Sequence, residues 1–560
     1  MPDLRGRIAG SLERFLYVSQ MGYAPADYAD KLLKRAYIAA ALTAFLLAFT
    51  LYLLLSGDAV LLLLLPMNPL PLLTAAVFAP WGYVAFSYLR PRLRALRISR
   101  GLSRELPYAC AYATSYVAAG LPPRRALMML AEKSRLLPYT SRELQRVEKL
   151  RQLFGLDDLE ALERDAKLHT SREWRDFVLS VVAAERGGGD VLAVFRDMLR
   201  GHFAELRAFY ERLSRKMSMV AEAVVVLFAV MPLLMYVLVS VSATPEAMES
   251  ARLFTFVLQP ALSVAMLFGI DAMYPREPFN LYRKSYLRTA LYVPVGVAVA
   301  LSLLFGLITV DVPYVLAWSV GLGLLAFTGM AMVDFERERI VQASVLNALP
   351  AFTRDLAEEV KKGKSPLQAI AYLSEARSYN RWFDRLLRYV SNSLLTGRRL
   401  KKVVEELAPK LPWRVALIFD ILSDAEDIGA RREVFEEVAS ITRQVNAIVS
   451  SARKALNVYK FIGAFAAVLS IGMSTYVLRS VVVPISRIAY ESGAWEMIGL
   501  ITPEQVPQLA DTVYVGTVIS AFILGLLSGK MSENHVGAGF KWSFTFLLLA
   551  LSTILFSAVV

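Results

Sequence analysis

Cysteine and histidine are scarce in this chain, and the shortage excludes several kinds of site. The 560 residues contain one cysteine and three histidines. Disulfides and cysteine metal clusters need more than one cysteine, and Cys110 lies among apolar and tyrosine residues, as buried thiols do. His169, His202 and His535 lack partners at metal-ligand spacing and are interpreted as surface or interface residues. The sequence therefore predicts no metal, no cofactor and no thiol chemistry.

Catalytic motifs are also missing from the sequence. A phosphate-binding loop needs four residues between its glycines and a hydroxyl residue after the lysine. The nearest stretch, Gly525 to Met531, has three residues between its glycines and ends in methionine. It is interpreted as a small-residue packing pair with an interfacial lysine. No Gly-x-Ser-x-Gly elbow is present. We therefore predict no catalytic residues and a protein that is not an enzyme.

Charge is absent from long blocks of the sequence. Hydrophobic residues make up 56% of the chain, and the mean hydropathy is +0.45. A helix that crosses the hydrocarbon layer needs about 20 apolar residues. We therefore predict an all-α, polytopic membrane protein with about nine transmembrane helices and two cytoplasmic helical-bundle domains. The predicted spans are at about 36–56, 59–89, 217–242, 252–274, 286–309, 312–333, 458–480, 511–529 and 541–559.

Prolines and flanking charges refine this topology. Pro66, Pro69 and Pro71 predict that the second span starts near Leu70. Lys and Arg are concentrated before the first span and in the regions 90–216, 275–285, 334–457 and 530–540. The loops near 57–69, 243–251, 310–311 and 481–510 are poor in them. By the positive-inside rule the N-terminus is cytoplasmic and the C-terminus outside the cell membrane. The predicted parts are a cytoplasmic segment 1–35, spans 36–89, a first domain 90–216, spans 217–333, a second domain 334–457 and spans 458–560.

The net charge of +13 raises the question of a partner. The basic residues of the chain are interleaved with acidic ones and border membrane spans. This pattern indicates anionic lipid headgroups or an acidic protein as the partner. Nucleic acid is not predicted as a partner.

The two charged regions share a spaced pattern. In each, apolar residues at helical spacing lead to a glycine, and a proline follows that can open the next helix. This pattern predicts a helical hairpin in each region, with Ser365 capping the second helix of the later copy. The aligned pairs are Leu106 and Leu349, Pro107 and Pro350, Gly120 and Gly363, Pro123 and Pro366, and Ala126 and Ala369.

A second pair of matching segments follows, with Glu185 and Gly188 aligned to Glu426 and Gly429. Each is predicted to turn between two helices at its glycine. In the first copy, a capping box from Thr170 to Glu173 is predicted to start the helix before the turn, and Asp190 to cap the helix after it. The helix after each turn runs on into the third or the seventh span, so it can transmit movement between a cytoplasmic bundle and the membrane.

These motifs resemble the cytoplasmic domain shared by platform proteins of type II secretion, type IV pilus and Tad systems. The resemblance covers 105–220 and again 348–455. Two such domains with extra spans most resemble the archaeal form, the platform of the archaellum or of an adhesive pilus. The second copy departs by having Ala348 before its Leu-Pro and Asp427-Ile428 before its glycine. The residues that carry the resemblance are Glu105-Leu106-Pro107, Gly120-Leu121-Pro122 with Ala126-Leu127, and Glu185 with Gly187-Gly188.

The resemblance implies a non-enzymatic protein beneath a growing filament. Such a protein accepts prepilin-like subunits from the membrane and is driven by a cytoplasmic hexameric ATPase. The sequence leaves open whether it forms a homodimer. The residues predicted to contact the ATPase or another domain are Glu105, Gly120, Glu185, Gly187, Gly188, Asp190, Gly363, Glu426 and Gly429.

The sequence leaves two alternative functions to compare with a platform. A secondary transporter with cytoplasmic regulatory domains would have duplicated membrane halves, but the repeat here lies in the charged regions. Its carboxylates would lie within the spans, whereas Asp271, Asp311 and Asp334 are interpreted as interface residues, and Gly321 and Gly323 as packing sites. A membrane-bound enzyme is the second alternative, and no cluster of polar residues supports it.

Overall fold

A computed structural model describes residues 2–56, 69–241, 245–274, 282–306, 313–491 and 504–559. Helices make up most of these residues and no strand occurs among them, which confirms the predicted all-α class. The chain divides into two compact units, Met1–His202 and Phe203–Val560. The predicted loop residues Asp58, Asp311 and Glu496 lie outside the described residues.

Among its described residues, the first unit contains seven α-helices and the start of an eighth. Several begin with proline at their first position, where its fixed φ and missing N–H are best tolerated. The described part of α3 starts at Pro69, and residues 57–68 lie outside the described residues, so the start of the second span near Leu70 remains a prediction. The helices are α1 (Pro2–Ser19), α2 (Pro25–Ser56), α3 (Pro69–Ala118), α4 (Pro123–Met129), α5 (Pro138–Phe154), α6 (Asp158–Leu168), α7 (Arg172–Gly187) and α8 (Val191–Val225).

A buried polar cluster at Asp165 joins four helices of the first unit. The Tyr17 hydroxyl of α1 donates to Asp165 Oδ1 at 2.8 Å, and Arg146 Nη2 of α5 lies 2.6 Å from the same oxygen. Trp174 Nε1 of α7 donates to Asp165 Oδ2 at 3.1 Å. Asp165 is fully buried, so these partners offset the cost of removing its charge from water. The cluster therefore fixes α1 to the helices of the charged region.

The second unit contains the remaining helices. They are α9 (Met231–Val241), α10 (Pro245–Leu253), α11 (Gln259–Met273), α12 (Arg283–Leu304), α13 (Val315–Lys361), α14 (Pro366–Ala376), α15 (Arg381–Leu395), α16 (Leu400–Leu407), α17 (Trp413–Asp427), α18 (Arg432–Val477), α19 (Val483–Glu491), α20 (Val506–Glu533) and α21 (Phe540–Val559).

Among the described residues, seven helices are long and apolar enough to cross a membrane. They coincide with the third to ninth predicted spans, which confirms a polytopic membrane protein. The first predicted span lies within α2, and the described part of the second lies on α3. The total of nine and the orientation of the termini remain predictions. The seven helices are Val191–Val239, Glu246–Met273, Lys284–Leu304, Val315–Lys361, Arg432–Ile488, Val506–Glu533 and Val536–Ser557.

Three of these membrane helices contain a π-helical turn. The turns are Val226–Val230, Phe254–Leu258 and Leu478–Val482. Each ends two residues before a proline, at Pro232, Pro260 and Pro484 respectively. Proline lacks an N–H and its ring clashes with the carbonyl four residues earlier. A wider turn before it accommodates the ring, so the helix continues instead of breaking.

Glycines allow close packing among the membrane helices. A Cβ atom on Gly525 would collide with the backbone of Ser543, and one on Gly529 with the backbone of Gly539. This confirms the packing interpretation of the Gly525–Gly529 pair. Gly323 meets Gly296 of α12 in the same way, and Gly321 meets Leu551. Gly321 and Gly323 are therefore packing sites, as predicted.

The two charged regions have the same order of helices. In each, a long helix ends at a glycine turn, four shorter helices follow, and a second long helix begins after another glycine turn. The first series is α3 to α8 and the second is α13 to α18. The predicted domain limits near 90, 216, 334 and 457 all fall inside these long helices, which continue through them unbroken.

Candidate functional site

The first glycine turn has the same geometry in both copies. Gly120 has φ +93° and Gly363 has φ +97°. The N–H of Leu121 donates to the Tyr116 carbonyl at 3.1 Å, and the N–H of Lys364 donates to the Glu359 carbonyl at 3.3 Å. These bonds satisfy carbonyls left free at a helix end, and the left-handed φ is the reason for glycine. The predicted hairpin turn is thus present in both copies.

The helix after this turn is capped differently in the two copies. In the first, no side chain of the turn caps α4; instead the Glu185 carboxylate of α7 accepts the N–H of Arg124 at 2.8 Å. In the second, Ser365 caps α14 through a capping box with Gln368, as predicted for Ser365. Glu185 therefore joins the two motifs of the first copy. The aligned Glu426 is left without this role and is partly exposed.

The second glycine turn is exposed in both copies. Gly188 has φ +62° and Gly429 has φ +68°. Gly187 is the last residue of α7, and a Cβ on it would meet no atom within 4 Å. Asp190 Oδ1 accepts the N–H of Ala193 at 3.1 Å, which confirms its predicted cap of α8.

The predicted capping box at the start of α7 was wrong by one residue. The cap is Ser171, whose hydroxyl accepts the N–H of Trp174 at 3.3 Å. Thr170 instead lies with its hydroxyl 3.2 Å from that of Ser99 on α3. The interpretation of His169 as a surface or interface residue was also wrong. It is 1% exposed, and its Nδ1 accepts the N–H of Ser171 at 2.9 Å.

Glu105 lies inside the first unit, at the N-terminus of α5. Its carboxylate accepts the N–H and hydroxyl of Thr140 at 2.7 and 2.9 Å and the N–H of Tyr139 at 3.0 Å. Burial raises the pKa of Glu105 from 4.5 to about 7, against the opposing effect of these donors. Only 3% of the residue is exposed, so it anchors α5 to α3 rather than offering a charge to solvent.

Three long helices, α8, α13 and α18, come together beside the ends of their predicted spans, just before the spans on α8 and α18 and just after the span on α13. The Tyr459 hydroxyl of α18 donates to the Ser214 carbonyl of α8 at 2.6 Å. Glu533, the last residue of α20, lies 2.6 Å from Lys460 Nζ of α18 and 3.5 Å from Arg339 Nη1 of α13. We call Ser214, Arg339, Tyr459, Lys460 and Glu533 the helix junction. One carboxylate thus connects the first and last helices of the second charged region.

A second ion pair lies beside the helix junction. Lys530 Nζ of α20 is 2.5 Å from Asp271 Oδ1 of α11 and also donates to the Asn534 carbonyl at 3.2 Å. The Lys530 side chain is 7% exposed and that of Asp271 39% exposed. Both residues were interpreted from sequence as interfacial, and the contact between them was not foreseen. The pairing compensates the buried ammonium.

The predicted site residues differ in how far they are exposed to solvent. Glu105 is buried and Glu185 is half-buried, whereas the glycine turns are exposed. Within the described residues, no group of three or more His, Cys, Asp and Glu side chains is placed to hold a metal ion. The sequence reasoning missed the helix junction. The local signal for the helix junction in the sequence was the position of Arg339, Lys460 and Glu533 near the ends of apolar segments.

Part of the chain matches a known protein family. Residues 109–239 match the family described as type II secretion system (T2SS), protein F. The matched residues run from the end of α3 to α9 and contain Glu185 and Asp190. No curated protein and no solved structure matches the chain. Together with the apolar helices, the family match supports a multi-pass membrane protein of the platform-like kind found in secretion and pilus systems.

Proposed function

We propose that this chain is the membrane platform of a type IV filament machine of the archaeal kind, building either an archaellum or an adhesive pilus. The platform couples a cytoplasmic hexameric ATPase to insertion of prepilin-like subunits at the filament base and performs no catalysis itself. The carrying observation is the helix Val191–Val239, which lies within the region similar to T2SS protein F and runs without a break from the first charged region into an apolar segment long enough to cross a membrane.

The helix junction supports a mechanical role for this continuity. Movement of the second charged region would reach the membrane through α13 and α18, and Glu533 holds both helices. Because Tyr459 also contacts α8, the long helix that follows the first charged region belongs to the same assembly. Displacement of either region would then shift the spans that hold the filament base.

The exposed turn at Gly187–Gly189 is our proposed principal contact for the ATPase. It follows Glu185, which already fixes the end of α7 to α4. The turn therefore presents accessible backbone on a rigid base. The second copy has Ile428 and Ala430 at the positions of Gly187 and Gly189, so we propose that the ATPase binds the two copies unequally, with the first copy as the stronger contact.

The test is a charge and bulk change at this turn. A Cβ on Gly187 meets no atom within 4 Å and the residue has a helical conformation, so Gly187→Arg should fold. We expect this variant of the full chain to lose co-purification with the ATPase encoded beside its gene, and to form no filaments.

Gly201→Arg is the matched control. Gly201 is also exposed, helical and free of neighbours within 4 Å, but it lies on α8 away from the turn. It should retain ATPase binding. Failure of the wild-type chain to bind the ATPase would count against the platform function, whereas unchanged binding by Gly187→Arg would reject only the proposed contact.

A further inference from the structure

Two arginines share one indole ring at the start of α15. The guanidinium carbon of Arg385 lies 4.9 Å from the centre of the Trp382 ring, and that of Arg381 lies 5.8 Å from it. Both arginines are exposed, and Trp382 is half-buried. The ring thus holds two positive charges close together at the surface.

Neither guanidinium has a carboxylate partner among the described residues. The nearest acid in sequence, Asp384, is 8% exposed and accepts the hydroxyl of Ser378 at 2.7 Å and the N–H of Tyr379 at 2.9 Å. It stabilises the turn before α15 instead of pairing with the arginines. Two neighbouring cations without an anion repel each other, so an external anion bound between them would be stabilised.

The position of α15 along α13 brings this pair near the membrane. Asn380 Nδ2 donates to the Ser344 carbonyl of α13 at 2.9 Å, so the start of α15 lies beside Ser344. Asp334 is the first charged residue after the apolar run of α13. Ser344 follows it by ten residues, about 15 Å of helix. The headgroup layer covers about 5–8 Å of that distance, and extended arginine side chains can cross much of the remainder.

We propose that Arg381, Trp382 and Arg385 form a binding site for the phosphate of an anionic lipid headgroup in the adjacent leaflet. The planar guanidinium donates two parallel hydrogen bonds to phosphate oxygens, and the indole is suited to the membrane interface. The bound lipid holds the second charged region against the membrane surface. In the first copy the residue aligned with Trp382 is Tyr139, whose ring packs against Gly101, so the site belongs to the second copy.

The test uses the full chain in lipid nanodiscs. Hydrogen–deuterium exchange of residues 377–389 is compared between phosphatidylcholine discs and discs that also contain phosphatidylglycerol. We expect slower exchange in the anionic discs for the wild type, and loss of that protection in the double variant Arg381→Gln, Arg385→Gln. Both side chains are exposed, so the variant should keep the wild-type melting temperature.

Arg388→Gln is the matched control, because Arg388 is an exposed arginine on the same helix one turn further on. It should keep the protection. The proposal is overturned if phosphatidylglycerol protects no more than phosphatidylcholine, or if Arg388→Gln removes protection as fully as the double variant does. Inorganic phosphate added to phosphatidylcholine discs distinguishes the sources: equal protection by the free ion would overturn the lipid assignment in favour of a soluble phosphate.

Discussion

Carboxylates at helix N-termini organise the first charged region. Glu105 accepts the free N–H groups of α5, and Glu185 accepts one from α4. The positive end of each helix dipole favours these negative charges. Each bond joins residues more than 30 positions apart. The two carboxylates therefore hold different helices together and do not cap the helices to which they belong. This use explains why acidic residues stand in both motifs of the first copy.

Replacement of Glu105 by glutamine tests this role at a single residue. The substituted side chain keeps one acceptor oxygen, but its amide points a donor at another donor, so we expect a loss of about 1–3 kcal/mol in the free energy of unfolding. The measurement is the melting temperature of the full chain in detergent. Glu173→Gln is the control, because Glu173 is exposed. Glu143→Gln is unsuitable, because the carboxylate of Glu143 is fully buried.

The raised pKa of Glu105 predicts how the stability difference between the wild type and Glu105→Gln depends on pH. The pKa of Glu105 rises from 4.5 to about 7 on folding. Its contribution to the free energy of unfolding is therefore full below about pH 4.5 and is lost as pH rises through about 7. The stability difference between wild type and Glu105→Gln should therefore shrink over that range. A difference that grows with pH would mean that the donors outweigh burial and lower the pKa instead.

Glycine and proline act on whole elements in this chain. Left-handed glycines end the long helices α3 and α13, whereas prolines near the π-helical turns leave the membrane helices continuous. The difference lies in what each residue removes: glycine removes the side chain that opposes a reversal, and proline removes one hydrogen bond. The helices that connect charged regions to the membrane are thus unbroken, and the glycine turns lie where these long helices meet the short ones.

Gly363→Ala tests the helix-ending turn. An L-residue at φ +97° costs about 1–2 kcal/mol, although a Cβ there would meet no atom within 4 Å. We expect a lower melting temperature and faster amide exchange at the end of α13. Gly201→Ala has equal space in a helical conformation and should leave stability unchanged or raise it by up to about 1 kcal/mol. Equal effects of the two substitutions would show that the left-handed conformation does not matter.

At the scale of the whole molecule, the helix junction is the feature most relevant to function. Its hydrogen bonds and ion pairs join residues 73 to 245 positions apart and connect α8, α13, α18 and α20. Glu533 lies at the C-terminus of α20, where the helix dipole disfavours a negative charge, and its two cations offset that cost. Removal of this carboxylate should loosen the long helices from each other without unfolding the charged regions.

Glu533→Gln should therefore reduce filament number strongly while the ATPase still binds. The glutamine keeps the size of the side chain but loses its ion pairs with Lys460 and Arg339. Glu358→Gln is the control, because Glu358 is exposed and pairs with Arg354 within α13, away from the helix junction. Filaments counted by electron microscopy and ATPase co-purification are the two measurements. Normal filament numbers in Glu533→Gln would contradict the proposed coupling.

Local patterns in the sequence were sufficient for much of this architecture. The apolar runs predicted the helices of the third to ninth spans, and glycine and proline spacing predicted the turns at Gly120 and Gly363. The caps at Ser365 and Asp190 also followed from neighbouring residues. These features depend on a few consecutive residues, because helix length, helix ends and turns are set by the local backbone.

Contacts between distant segments required the folded chain. Glu105 and His169 were expected to be accessible or interfacial and are buried. The N-cap of α7 is Ser171 and not Thr170, because Thr170 contacts Ser99 of α3. Lys530 and Asp271 are 259 residues apart in sequence, and nothing near either one indicates the other. Burial and pairing of polar groups depend on how helices pack side by side, and that packing is a property of all the apolar faces together.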